Sequence, residues 1–254
     1  MKAIRLIPIR LIVLGCGLLL LWQCLVLVTG APHYILPGPI PVFYAIVNNW
    51  SVLLEHLQTT LTEIILGIVL GTFLGVTTAL TMTLSPLLKR WMLPVLVISQ
   101  AIPVFALAPI LVLWFGYGMA SKVAMAVLII FFPVTSSFYY GMQRTEPHLL
   151  ELARIMDGRP ISIMRYIIVP SAMPAFASGL RVATAVAPIG AVVGEWVGSS
   201  AGLGFYMLHA NARMQIDVMF AALTVLSVVS LLLYFSIDFA MEKLIFWESK
   251  QGIK

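Results

Sequence analysis

From Ile64 to Leu88 the chain carries no Asp, Glu, Lys or Arg. A helix rises about 1.5 Å per residue, so roughly 20 mostly apolar residues cross the hydrocarbon layer of a bilayer. A run this long suits lipid and no ordinary soluble domain. The rest of the chain repeats the pattern: 61% of the 254 residues are hydrophobic and 10% charged, against about a quarter charged in soluble domains. Mean hydropathy is +1.04. The chain is therefore expected to be all-α, a single polytopic membrane domain over residues 1–254.

Six spans are predicted, at about residues 11–29, 57–84, 91–114, 123–141, 174–197 and 218–237. The first follows Lys2, Arg5 and Arg10 and exceeds the about 7 to 15 apolar residues of a signal-peptide core, so it is read as an uncleaved helix. Cys16 and Cys24 lie within it, eight apart on one face, and are expected to pack rather than pair. Between the first two spans, Pro32, Pro37, Pro39 and Pro41 mark an ordered external loop leading to a short interfacial helix over 42–50. In the second span Gly67, Gly71 and Gly75 recur every four residues, forming a smooth stripe where another helix can approach closely. The third holds Pro94, Pro103 and Pro109 beside Gln100. Prolines release backbone carbonyls that need protein or water around them, so a bent helix facing the protein interior is expected.

The distribution of charge orients the chain. With a cytoplasmic amino terminus, the inner side holds Lys2, Arg5, Arg10, Lys89, Arg90, Arg144, Arg154, Arg159, Arg165, Lys243, Lys250 and Lys254, and the outer side Lys122 and Arg213. This positive-inside bias puts both termini and the segment 144–170 in the cytoplasm. The net charge of +5 therefore reports membrane orientation, and no nucleic-acid partner is implied.

Segment 144–170, RTEPHLLELARIMDGRPISIMRYIIVP, is the longest charged interruption. It predicts two short helices with a Gly-Arg-Pro break between them, outside the bilayer. Thr145 is expected to cap the first, and Pro147 fits its first turn, where no intrahelical partner awaits its missing N–H. Leu149, Leu150, Leu152, Ala153 and Met156 give that helix an apolar face. Two readings of that face stay open on periodicity alone: packing on the chain's own helix ends, or docking a partner.

Catalytic groups are scarce. His33, His56, His148 and His209 are scattered without metal-ligand spacing, and no Gly-rich phosphate loop is present. No catalytic residue, metal site or cofactor is expected on this chain. Charges inside the membrane are more informative, because each costs about 2.5–3.5 kcal/mol on insertion scales and faces a partner or a water-filled path. Glu63, Arg181 and Glu195 are the candidates, with Gln100 as a polar neighbour in the third span. Arg181 either neutralises Glu195 or Glu63 or lines a path. About 21 Å of helix separates Arg181 from Glu195, so those two cannot pair directly. Glu195 precedes the turn Ser199-Ser200-Ala201-Gly202 and is placed near an outer mouth or gate.

Glu151-Leu152-Ala153-Arg154, with Pro170 nineteen positions on, resembles the EAA loop of the membrane subunits of bacterial ABC importers. Two positions depart from the family: Leu152 stands where Ala is usual, and Asp157 where a glycine is usual, with Gly158 one place late. Asp tolerates a left-handed turn better than most residues. The third span, ISQAIPVFALAPILVLWFG, and residues 179–204, GLRVATAVAPIGAVVGEWVGSSAGLG, are similar to the nitrate, sulfonate and taurine branch. Thr62-Glu63 and the segment Phe205 to Asn211 look closest to permeases for thiamine-precursor pyrimidines. The resemblance spans Ile35 to Trp247.

It implies a homodimeric inner-membrane permease whose Glu151, Leu152, Ala153, Arg154, Asp157 and Gly158 couple to separate ABC ATPase subunits. ATP and Mg would be bound by those subunits. A periplasmic or lipid-anchored binding protein would deliver a small polar solute, an aminopyrimidine thiamine precursor first, then a sulfonate, taurine or nitrate. The alternative is a proton-coupled secondary transporter carrying protons on Glu63 and Glu195.

Overall fold

The computed structural model describes residues 2–247, with side chains from Val13 onward. The cations Lys250 and Lys254 counted above lie outside the described residues, and the side chains of Lys2, Arg5 and Arg10 are likewise not described. Eleven α-helices follow one another without a strand among the described residues. They are α1 (Lys2–Thr29), α2 (Pro39–Asn48), α3 (Trp50–Leu84), α4 (Pro86–Ala101), α5 (Val104–Phe115), α6 (Met119–Gln143), α7 (Pro147–Ile155), α8 (Pro160–Ile163), α9 (Val169–Gly198), α10 (Leu203–Ala212) and α11 (Ile216–Leu244). A π-helical turn, Met164–Ile168, joins α8 to α9, so Pro160–Gly198 runs on as one helical body.

Four of these bodies are long and apolar enough to cross a membrane: Trp50–Leu84, Met119–Gln143, Pro160–Gly198 and Ile216–Leu244. α4 and α5 together satisfy the same test but meet at 104°. The expected bend in the third span is thus a break, and its cause is local. Proline disfavours the α conformation in the residue before it, and Ile102 is extended at φ −80°, ψ 121° ahead of Pro103. Pro94 and Pro109 stay inside their helices.

α6 lies at the centre, flanked by α3 on one side and α9 on the other. Gly67, Gly71 and Gly75 of α3 face Ala126, Ile130 and Val134 of α6, so close that a Cβ on any of the three would press into those side chains. Across α6, Gly190 of α9 sits against the backbone of the same Ala126. Lipid offers helices no hydrophobic drive to associate, and close van der Waals contact through small residues supplies it instead. Leu53, Ile64, Ala126, Ile130, Ala183, Ala187, Ala191 and Leu203 form the dry centre of the bundle.

Several expectations change. Thr145 does not cap α7; its hydroxyl donates to the Met142 carbonyl, and Glu146 holds the cap position without a side-chain bond. Proline does occupy the first turn, as expected. The second short helix of the loop does not stay separate, because α8 feeds through the π turn into α9. Cys16 and Cys24 are exposed on α1 instead of packed. Lys122 is no outer-surface cation: its side chain is 7% exposed and paired inside the bundle.

The glycine stripe predicts a measurable asymmetry. Gly71→Leu should destabilise the purified protein by about 1–3 kcal/mol through overpacking, seen as earlier thermal unfolding in detergent. Gly15→Leu, where a Cβ meets nothing within 4 Å, should leave the transition in place.

Candidate functional site

Near the α10 end of the bundle, α3, α6 and α9 bring polar side chains together around the first amides of α10 in an otherwise apolar interior. Glu195, on the last turns of α9, is 1% exposed, and its carboxylate caps α10. Oε2 accepts from the backbone N–H of Gly204 at 2.5 Å and of Phe205 at 3.4 Å. Thr60 of α3 donates to Oε1 at 2.6 Å and accepts the Leu203 N–H at 2.8 Å. The Gly202 N–H donates to His56 Nδ1 at 3.1 Å. The first turn of a helix leaves four amides without intrahelical acceptors, and here side chains of two other helices take all four. A carboxylate at that terminus also meets the positive end of the helix dipole. Gly202, at φ +108°, is where the chain turns into α10, and a Cβ there would collide with the Glu195 carboxyl group.

Glu63 lies one turn beyond Thr60 on α3 and is fully buried. Lys122 Nζ of α6 stands 3.1 Å from its Oε1 as a counter-ion. That contact is an ion pair without aligned hydrogen-bond geometry, since neither Glu63 oxygen has a regular hydrogen bond. Each buried carboxylate thus has its own positive counterpart: the Lys122 ammonium for Glu63, the α10 terminus for Glu195.

Arg181 finds a partner that the sequence reading did not include. Its Nε donates to Asp238 Oδ1 of α11 at 2.5 Å, with both side chains about a third exposed. It is bonded to neither Glu63 nor Glu195, and the length of helix between Arg181 and Glu195 keeps those two apart. Gln100 is exposed at the end of α4, two residues before the break. The structure therefore gathers Glu63 and Glu195 into one cluster and leaves Arg181 and Gln100 apart from it.

At the opposite end, α7 carries Glu151, Leu152, Ala153 and Arg154. Ala153 turns inward and is buried, whereas Leu152, Ile155 and Met156 are 54%, 82% and 75% exposed. Leu149 and Leu150 are half-buried, so the chain's own helix ends cover part of the apolar face and leave Leu152, Ile155 and Met156 open. α7 closes in a Schellman turn, in which Gly158 N–H bonds the Ala153 carbonyl at 2.9 Å and Asp157 N–H bonds Arg154 at 3.0 Å. Asp157 occupies the left-handed position at φ +56°. That is the conformation expected of it, and Gly158 serves as the second residue of the turn.

His56, Thr60, Lys122 and Asp238 were missed as partners. Thr60 and Glu63, three apart on one helix face, carried a usable signal. A carboxylate followed within ten residues by Gly-Leu-Gly and a helical run was the other, since a helix start needs acceptors. Glu195→Ala should leave the Gly204 amide buried without an acceptor, a loss of about 1–3 kcal/mol. Hydrogen exchange of the α10 amides should rise with it, while α7 exchange stays unchanged.

A protein-family model, "Binding-protein-dependent transport system inner membrane component", matches residues 67–246. A "Probable ABC transporter permease protein" of Haemophilus influenzae is 52% identical over 228 residues, covering 90% of this chain and 93% of the relative. "Formylaminopyrimidine transport permease protein ThiX" of Halalkalibacterium halodurans is 37% identical, covering 92% and 94%. "Riboflavin transport system permease protein RibX" of Chloroflexus aurantiacus is 36% identical, covering 91% and 87%. Among solved structures, an inward-facing MetNI methionine ABC transporter chain superposes with TM-score 0.64 at 18% identity, over 80% of this chain and 97% of that one. At that identity it speaks for the fold alone.

Proposed function

The chain belongs to the family of binding-protein-dependent transport system inner membrane components, and on that premise we propose that it is the permease subunit of an ATP-driven importer. The observation that carries this reading is α7: a short helix whose Leu152, Ile155 and Met156 stand uncovered at one end of the bundle. An exposed apolar face of this kind marks a docking site, and the occupant proposed is an ABC ATPase subunit holding ATP and Mg.

In this reading α1, α3, the broken pair α4–α5, α6, α9 and α11 make six spans, with both termini and α7 in the cytoplasm. Two copies enclose the path, and a binding protein delivers solute from outside. α7 is tied through the Schellman turn and α8 to the long helix ending at Gly198. Movement of the ATPases would therefore reach the membrane as rigid-body tilting of that helix. The relatives named for a formylaminopyrimidine and for riboflavin support a planar nitrogen heterocycle as the solute. A thiamine-precursor aminopyrimidine leads, with sulfonates, taurine and nitrate behind it.

The proton-coupled alternative needs Glu63 and Glu195 to exchange protons with water. Both are buried and engaged, which weighs against it.

Two substitutions test the reading. Ile155→Asp, on an exposed position, should abolish copurification of the ATPase and uptake of the solute while the chain still reaches the membrane. Unchanged uptake would sink the coupling role of α7. Lys122→Met alone should destabilise the bundle, by up to about 3–5 kcal/mol, by leaving the buried Glu63 carboxyl without its counter-ion. Glu63→Gln with Lys122→Met should restore the fold and keep transport, whereas a proton carrier would lose it.

A further inference from the structure

α6 and α9 enclose a groove of about 510 Å³ between Phe132 and Tyr140 on one helix and Ala175 and Ser178 on the other. Its polar groups are Ser136, Ser137 and Tyr140 of α6, at spacings that share one helix face, Arg144 just past the end of that helix, and Ser178 of α9 opposite. Ser136 and Ser178 donate to the carbonyls of Pro133 and Pro174 at 3.5 and 3.1 Å, one turn back, which leaves their oxygen lone pairs free. The Ser137 hydroxyl and the Arg144 guanidinium have no hydrogen-bond or ion-pair partner among the described residues. No carboxylate lines the groove.

A second groove, of about 870 Å³ between α9 and α11, shows the contrast: Ile189, Val192, Leu223, Leu226 and Leu231 dominate its wall. Its two serines, Ser227 and Ser230, donate to the Leu223 and Leu226 carbonyls one turn back, and no charged side chain lines it. The first groove leaves Ser137 without such a partner. The unpartnered Ser137 hydroxyl is costly against hydrocarbon, and polar groups at membrane depth face water or protein; exposed Arg144, just past the end of α6, stands at the mouth of the groove.

We infer that the α6–α9 groove is the inner half of the solute's route, built for a small neutral or anionic solute rich in hydrogen-bond acceptors. The inference rests on the permease reading above. Ser137 and Arg144 supply the donors, the serine lone pairs accept from any amine, and the fixed charge of Arg144 repels cations. Tyr140, 54% exposed at the rim, offers a ring for a planar solute to lie against.

Site-directed thiol labelling tests this in the full chain assembled with its ATPase. Cys16 and Cys24, both exposed, are first replaced by Ser. Ser137→Cys and Ser178→Cys are then compared with Leu231→Cys in inside-out vesicles, the probe being a membrane-impermeant anionic methanethiosulfonate. Only the thiolate reacts and it forms in water, so the groove thiols should react at least about tenfold faster than Leu231→Cys. Arg144→Gln should slow the anionic probe relative to a cationic analogue. Ser178 is exposed, so its variant serves if Ser137→Cys, which lies beside Gly179, fails to assemble.

Groove thiols no more reactive than Leu231→Cys, in a cysteine-free parent that still retains its ATPase, would overturn the inference and leave the permease reading standing. They would mean that lipid or a second copy fills the groove. A parent that retains no ATPase would overturn both.

Discussion

The near-contact of backbones between α3, α6 and α9 is the constraint on which everything else in this molecule rests. Two faces of α6 are occupied at once, with Ala126 lying against Gly67 on one side and Gly190 on the other. In lipid, burial of apolar surface cannot select one packing over another, because the solvent is itself apolar. Shape does the selecting. Glycines placed every fourth residue allow one register between α3 and α6, and that register brings Glu63 opposite Lys122.

From this arrangement the polar cluster follows. A charge that enters a bilayer needs compensation within reach, and the two carboxylates use different means. Glu63 has an ammonium from the neighbouring helix. Glu195 has the open amides of α10, a backbone feature that exists only once the Gly202 turn is made. The cluster thus couples helix packing to the placement of a short helix, whose Leu203, Met207 and Ala210 also enter the core. Thr60 serves both, donating to Glu195 and accepting from Leu203.

Much of the architecture was legible in the sequence because lipid imposes simple rules. Long uncharged runs mark helices, and the spacing of Gly67, Gly71 and Gly75 marks a contact face. Asp157 could be placed in a left-handed turn from the chemistry of its side chain. What was not legible depends on which helix lies beside which. Lys122 reads as an outer-surface cation until α6 is set against α3, and Asp238 reads as the end of a span until α11 is set against α9. The break before Pro103 was under-read as a bend, since Pro94 and Pro109 pass without one and only local backbone geometry separates them. Thr145 had a competing carbonyl at Met142, the usual ambiguity of a hydroxyl near a helix end.

The helical body from Pro160 to Gly198 has 39 residues, so it is a rod of about 58 Å, far longer than the hydrocarbon layer. Its far end is pinned where Glu195 grips α10. Ala172, Gly179 and Gly190 hold the middle of the rod against α6 as well, whereas Ile161 and Tyr166 on its first turns are exposed. Were the rod to tilt about its held part, the residues beside Pro160 would be displaced further than those beside Gly198.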